Sequence, residues 1–457
     1  MSYTRIQLEN SFNIHKLKEI CIELGGTPGT KNKAEIIDLI IDIQNGVAPQ
    51  KKKAGRKSNF EKFYEPASNE DDFTKSQVCD HEEVERPAVI TGETLLVKGT
   101  FEKSDQDHGF LRGGDNFKMS SLTDVYVSSF NVRALKLRQG DYVEGFAVFG
   151  RDNGAPSLQS VDKINGKPLS TEQRRRFCDL EPSYPDKKIK LETAGKNDVS
   201  LRAIDLLSPI GMGQRGLIVA PPKTGKTTLI KKIATAINEN HEDIYLMILL
   251  VGERPEEVTD VKRSVNAEIL YSTFDEKPKN HVRIAELAIE KAKRMVEEGK
   301  NVVVLMDSIT RLVRAYNETV NSSGKTLTGG IDPLALQQAK QIFGSARNVK
   351  DGSLTIIATA LIQTGSKMDD VIYEEFKGTG NSEIILKSSL SERRIFPAID
   401  LYRSGTRKEE LLLSEEELDC AYILRRTLDK KDDAELELIG MLKNTANNKE
   451  LIKKVNG

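Results

Sequence analysis

Apolar positions in this chain change their period from one stretch to the next, and each change marks a new kind of element. In residues 12–46 the set Ile14, Leu17, Ile20, Cys21 and Leu24 recurs at helical spacing. "GGTPGT" then interrupts, and a second apolar set runs from Ala34 to Ile43, which predicts two short helices. Residues 47–90 hold no period: a basic cluster, "KKKAGRK", leads into acidic sequence with Pro and Ser, as expected of a disordered linker. Residues 91–166 break into short β-rich pieces ("TLLVKGTFE", "GFLRGG", "DVYVSS", "DYVEGFAVFG") set off by Gly, Asp and Asn turns, the spacing of a small β-barrel. Beyond a connector at 167–200, strands such as "GLIVA", "IYLMILLV", "NVVVLMD" and "SLTIIATALI" alternate with amphipathic helices such as "RIAELAIEKAKRMVEEG". That alternation predicts a parallel sheet covered on both faces over residues 201–457, which end in helices.

The expected chain is therefore multidomain: an N-terminal helical module (1–46), a charged linker (47–90), a small OB/cold-shock-like barrel (91–166) and a C-terminal α/β P-loop domain (201–457). A length of 457 residues agrees, being too long for one ordinary core. With 30% charged residues and a net charge of -1 there is no global field, so any polyanion must be met locally. No apolar run approaches the roughly 20 residues of a membrane span, and "MSYTRIQLEN" lacks the layout of a secretion signal, so a cytoplasmic protein without membrane partners is expected. Cys21, Cys79, Cys178 and Cys420 are scattered without metal-ligand spacing and read as ordinary thiols.

Candidate chemistry centres on "GLIVAPPKTGKTTLIKKIATAI", residues 216–237: an apolar strand, a loop and a helix, the context a P-loop requires. Pro222, Lys223, Thr224, Gly225, Lys226, Thr227 and Thr228 form the cradle. Its backbone N–H groups receive phosphates, Lys226 reaches the β- and γ-phosphates, and the Thr227 hydroxyl ligates Mg²⁺. The loop opens on Ala220 where Gly is usual, and two prolines stiffen its entry. Asp307 ends the strand "NVVVLMDS", either as the carboxylate that holds Mg²⁺ through its shell or as the N-cap of the next helix. Glu253 ends "IYLMILLVGE" and is the candidate to polarise the attacking water, since ligands of such sheets gather at the carboxyl ends of strands. Glu256 and Glu257 read as solvated first-turn residues of the following helix.

In the barrel, "HGFLRGGDNF" is similar to the nucleic-acid signature of cold-shock and OB-type barrels, with Phe110, Arg112 and Tyr126 as candidate base-stacking and phosphate contacts. Burial of the same rings as core is the alternative. His108 stands where an aromatic is common, which suggests an altered base preference.

"GLIVAPPKTGKTTL", "GERPEEVTD", "MDSITRLVRAYN", "GKTLTGGIDPLAL", "ATALIQTGSKMDDVIYEEFKGTGN" and "RRIFPAIDLYRSGTRKEELL" together resemble the Rho family of transcription terminators over residues 91–430. The resemblance implies a RecA-like ATPase assembled as a homohexamer that uses ATP and Mg²⁺, travels along single-stranded RNA and releases the transcript from the RNA polymerase elongation complex. It also implies an arginine finger at Arg407 that reaches a neighbour's triphosphate. Arg394 would serve the inter-subunit phosphate site, Phe396 would pack on the base, Arg254 would couple subunits, and Lys223 would be a second P-loop lysine. Lys325 and Lys367, each in a Gly-rich loop, would line the RNA channel. Without the resemblance each of these Arg residues reads as a surface charge or salt bridge, and each Lys as solvated. A rotary or export-type ATPase ring subunit shares the catalytic features and is the alternative function; the barrel and the lysine loops favour RNA.

Overall fold

The computed structural model describes residues 94–456 except 118, 120–123, 150–154, 171–173 and 429–433, together with Lys33, Ile36, Ile37 and Ile40. The chain divides into two units, Met1–Arg86 and Pro87–Gly457. In the first, the four described residues are helical and the three isoleucines are buried. The rest of the expected helical module, and the expected linker with its basic run, lie outside the described residues.

The second unit begins with a five-stranded barrel: β1 (Thr94–Lys103), β2 (Gly109–Arg112), β3 (Val125–Val127), β4 (Tyr142–Val148) and β5 (Ser157–Ile164). β1 pairs antiparallel with β2 and β4, β3 with β2 and β5 with β4; the circle closes where β3 meets β5 in parallel at Tyr126 and Ser157. Alternation drives the closure, because Val97, Phe101, Leu111, Val125, Val127, Val143, Ala147 and Leu158 all turn inward and are buried. Gly145 permits the tight β4–β5 approach: a Cβ there would lie 2.2 Å from the Ser160 carbonyl oxygen. A short helix, α1 (Ser129–Ala134), N-capped by Ser128, adds Val132 to this core.

The ATPase domain follows, with α2 (Val199–Leu207), β6 (Arg215–Ala220), α3 (Lys226–Asn240), β7 (Ile244–Glu253), α4 (Pro255–Ser264), β8 (Glu268–Thr273), α5 (Pro278–Glu297), β9 (Asn301–Asp307), α6 (Ile309–Thr319), α7 (Pro333–Phe343), β10 (Gly352–Leu361), α8 (Lys367–Lys377), β11 (Ser382–Ile385), α9 (Ser388–Glu392) and β12 (Gly405–Thr406). The sheet runs β8-β7-β9-β10-β6-β11-β12, parallel except for β12. Period-two alternation sorts its two faces. Ile218 and Ala220 of β6 join α2 and α3 in one core, whereas Leu217 and Val219 join α5, α6 and α7 in the other. The terminal helices α10 (Glu415–Leu428), α11 (Ala434–Lys443) and α12 (Asn448–Asn456) pack on the first core and are tied to it by the fully buried Arg202, which donates to Asn448, Leu442 and Thr445.

Barrel and ATPase domain meet through side chains that neither could satisfy alone. The Asn116 amide donates to the Tyr271 carbonyl of β8 (2.6 Å) and accepts from the Tyr271 N–H (2.5 Å), completing the ladder of an edge strand. Phe117 inserts into the ATPase core. Arg283 of α5 donates to both oxygens of Glu102 in β1 (2.5 and 2.8 Å) and to the Phe117 carbonyl (2.7 Å), while Arg112 donates to Glu102 from the barrel side (2.5 Å). Burial alone would raise the Glu102 carboxyl, but Arg283 and Arg112 outweigh it and hold the group below the ordinary range.

A carboxyl depressed by folding stabilises the native state above its unfolded pKa, and that contribution disappears as pH falls through the lower folded value. Glu102→Gln should therefore cost roughly 1–3 kcal/mol near neutral pH, the scale of hydrogen bonds to a charged group. The gap to the unaltered protein should close in acid below the ordinary carboxylate range. Urea unfolding of both proteins across pH checks this, and a gap that is constant with pH would contradict it.

Candidate nucleotide site and nucleic-acid face

The loop between β6 and α3 turns on two left-handed residues, Lys223 (φ 64) and Gly225 (φ 87). The Thr224 hydroxyl braces it by donating to the Pro221 carbonyl at 2.8 Å. Gly225 is the N-cap of α3 and brings no side-chain cap, so the first-turn N–H groups and the helix dipole face an anion rather than a side chain. Pro222, Lys223 and Thr228 are exposed along the rim. The Phe396 ring, 50% exposed, lies 3.9 Å from where a Cβ on Gly225 would stand. Arg394 (φ 58, exposed) precedes it in the loop after α9. That loop follows β11, whose end hydrogen-bonds to β6 through Leu386 N–H and the Val219 carbonyl. Arg394 and Phe396 thus share the strand-end face with this chain's own P-loop.

Beside the loop, β7 and β9 end on Glu253 and Asp307, which are 2% and 1% exposed. The Lys226 ammonium lies between them, 2.5 Å from Asp307 Oδ1 and 3.3 Å from Glu253 Oε1. Burial opposes its charge, but the two carboxylates more than offset burial and raise its pKa. Glu253 is pushed upward, by burial first and by Asp307 next, against the pull of Lys226 and Arg311. Thr359 of β10 donates to Asp307 Oδ1 at 2.7 Å. The alternative of Asp307 as a helix cap is settled by its neighbour: Ser308 is the N-cap of α6 and accepts the Arg311 N–H.

Three residues of this site escape the sequence reading. Thr359 and Arg311, which ion-pairs with Glu253 Oε2 at 3.4 Å, lie in strands and helices where only the fold brings them to the strand ends. Glu257 is not a merely solvated helix residue as expected; it is half-buried and accepts from the Thr227 hydroxyl at 3.3 Å. Glu256 is exposed, as expected. Arg254, directly after Glu253, is the exposed N-cap of α4.

Arg407 stands at the opposite end of the sheet. It follows Thr406, which pairs with Ser382, which in turn pairs with Gly216 at the start of β6. Four strand residues, roughly 13 Å at strand rise, separate that level from Ala220, where the P-loop begins. Arg407 is exposed there, out of reach of the phosphates its own chain would hold.

On the barrel, Phe110 and Tyr126 are register partners on β2 and β3, both half-buried. With His108 they form a three-ring cluster with centroid separations of 5.9, 5.6 and 5.9 Å. His108, at a position where an aromatic is common, thus contributes a ring to the same cluster. Arg112 is 9% exposed; it lies 4.9 Å from the Phe110 centroid and is ion-paired to Glu102 and Asp124. In this structure it lies against the Phe110 ring and is neutralised by the two carboxylates.

Lys367 is the first residue of α8 rather than a loop residue, and the loop bearing Lys325 lies against that helix start: a Cβ on Gly329 (φ 84) would come within 3.0 Å of Met368 Cα and 3.1 Å of the Lys367 carbonyl oxygen. Both lysines are exposed. The helix start is anchored by Arg314 of α6, which donates to both oxygens of Asp369 in α8 (2.7 and 2.9 Å).

Comparison with known proteins agrees with this division. The family model for the nucleotide-binding domain of the ATP synthase alpha/beta family matches residues 200–406, and that for the Rho termination factor RNA-binding domain matches residues 97–170. The transcription termination factor Rho of Aquifex aeolicus is 51% identical over 371 residues, 79% of this chain and 85% of that protein. That of Bacillus subtilis is 50% identical over 362 residues, covering 78% and 84%. Among solved structures, an ATPase from the type III secretion system of pathogenic bacteria aligns with a TM-score of 0.53 at 23% identity, over 66% of this chain and 94% of that one, which is a likeness of fold alone. With half its residues shared over most of its length, and with an RNA-binding barrel docked on a P-loop ATPase, the chain belongs to the Rho family of transcription termination factors.

Proposed function

We propose that the chain is an RNA-dependent ATPase that binds nascent single-stranded RNA on its barrel, draws it through a homohexameric ring by ATP hydrolysis and so releases the transcript from RNA polymerase. The observation that carries this reading is the joining, in one docked unit, of a half-buried three-ring cluster on the barrel and a P-loop site with two buried carboxylates. An export or rotary ATPase would share the second feature and has no use for the first.

Lys226, held between Asp307 and Glu253, stands ready to turn to the β- and γ-phosphates. Among the described residues no three His, Cys, Asp or Glu side chains gather as a metal cage. Mg²⁺ bound with phosphates needs none, since it retains waters and takes one or two protein oxygens. The Thr227 hydroxyl and, through the shell, Asp307 fit that donor set, and the ion would neutralise charge developing on the phosphoryl oxygens. Glu253 takes the water proton. Phe396 offers its face to the base, and Arg394 and Lys223 add positive charge at the rim. Arg407, exposed at the far end of the sheet, and Arg254, exposed beside Glu253, serve a neighbour's site across the ring interface.

RNA is met in two places. Phe110, Tyr126 and His108 stack bases, with Arg112 behind them. Lys325 and Lys367 hold phosphates in the channel. Arg314 links the second place to catalysis, because α6, capped by the Ser308 that follows Asp307, holds Asp369 in the first turn of α8 beside Lys367. A change at the nucleotide can thus reach the RNA through one rigid helix.

Binding and hydrolysis should separate at the nucleotide site. Lys226→Ala should weaken ATP binding, whereas Glu253→Gln should keep it and lose turnover by at least on the order of 10²-fold. Fluorescent-nucleotide titration and steady-state hydrolysis read the two effects, and near-normal turnover by Glu253→Gln would remove it from the chemistry.

A trans arginine should complement. Arg407→Ala subunits should bind ATP without hydrolysing it, and mixing them with Lys226→Ala subunits should restore activity at hybrid interfaces. Inactive mixtures, with hybrid assembly verified by mass, would contradict the cross-subunit role.

The two RNA places should respond differently. Phe110→Ala should lower affinity for single-stranded RNA by about 1–3 kcal/mol with little change in salt dependence. Lys325→Ala and Lys367→Ala should leave that affinity nearly intact and abolish RNA-stimulated hydrolysis and transcript release. Binding isotherms and ATPase rates on one RNA decide it, and the reverse pattern would exchange the two assignments.

A further inference from the structure

The buried carboxylate of Glu253 is held by two cations, one on each oxygen: Lys226 3.3 Å from Oε1 and Arg311 3.4 Å from Oε2. Their situations differ. Lys226 belongs to the P-loop, and bound triphosphate offers its ammonium a denser negative charge than a carboxylate. Arg311 belongs to the first turn of α6, where its N–H is fixed by the Ser308 hydroxyl at 3.3 Å. Its side chain runs flat across the end of β7: Gly252 has φ 63, and a Cβ there would stand 3.3 Å from Arg311 Cδ. That course leads it to Glu253 and leaves a third of it exposed.

When Lys226 turns to phosphate, Glu253 keeps Asp307 and Glu257 as negative neighbours, with burial disfavouring its charge, and Arg311 is the positive group that remains on it. A carboxylate that is to take a proton from water must be ionised and correctly aimed at that moment. We propose that Arg311 is a positioning residue for the hydrolysis: by holding Oε2 it keeps Glu253 anionic and fixed while Oε1, vacated by Lys226, faces the attacking water. This rests on the reading of Glu253 as the water-activating group. It assigns Arg311 a role in turnover and none in nucleotide affinity, and it makes the effect of Arg311 conditional on the carboxylate.

The test is a double-mutant cycle on the full chain with RNA saturating, using Arg311→Gln, Arg311→Lys, Glu253→Gln and the Glu253→Gln/Arg311→Gln pair. The measurements are kcat and KM for ATP, fluorescent-nucleotide affinity and thermal unfolding. Arg311→Gln should lower kcat by about tenfold or more with nucleotide affinity within about twofold, Arg311→Lys should recover part of the loss, and Arg311→Gln should cost nothing further once Glu253 is Gln. An equal loss of kcat in both backgrounds, or a loss of nucleotide affinity that matches the loss of kcat, overturns the proposal and makes Arg311 a phosphate contact in its own right. If Glu253→Gln alone hydrolyses ATP normally, the reading of Glu253 fails instead, a result visible before Arg311 is touched. Should Arg311→Gln unfold, the cycle is run with Arg311→Lys, whose shorter reach to Oε2 must cost kcat only where Glu253 is present.

Discussion

The structure turns on one buried cation. Two carboxylates at the ends of neighbouring parallel strands, Glu253 and Asp307, are almost wholly removed from water and repel each other. Lys226 makes the arrangement tenable in the form described here, and Thr359 and Arg311 complete it. Breaking such a cluster by removing one partner leaves uncompensated buried charge, a heavier cost than any surface pair carries. The same cluster would suit a triphosphate, whose negative charge would draw Lys226 and whose accompanying metal ion would supply the positive charge that Asp307 then lacks. Stability without nucleotide and readiness for it come from the same residue.

From that point rigid elements run outward in two directions. α6 starts beside Asp307 and grips Asp369 through Arg314, so the start of α8, with Lys367, rests on the helix whose first turn belongs to the catalytic cluster. On the other side, β7 lies against β8, whose backbone is held by Asn116 of the barrel segment. Glu102 receives Arg283 from α5 and Arg112 from beside the ring cluster. The barrel is thus docked through charge and backbone hydrogen bonds as well as through Phe117, a seam that aligns one domain on the other more specifically than an apolar contact would.

Much of this was legible in the sequence because the signals were periodic or local. The barrel's alternation, the βα alternation of the ATPase domain and the strand-loop-helix at Lys226 each declare themselves within about twenty residues, the range over which period and turn chemistry act. Glu253 and Asp307 were found because both end apolar runs. What stayed hidden depends on contacts between elements distant in sequence. Thr359 reads as an ordinary strand residue until β10 is laid beside β9, and Arg311 as a helix-surface charge until α6 is placed against β7. Glu257 was mistaken for a solvated residue because Thr227, its partner, lies on another helix. Arg112 was expected to face nucleic acid, and the carboxylates that enclose it are not predictable from "GFLRGG".

If the ring-bearing barrel and the carboxylate-lysine cluster serve one activity, the rate of ATP hydrolysis by the intact chain must respond as cytosine-rich single-stranded RNA is titrated in. A low basal rate that rises with RNA and saturates is expected. A rate indifferent to RNA, in protein that binds the same RNA in the same buffer, would contradict it.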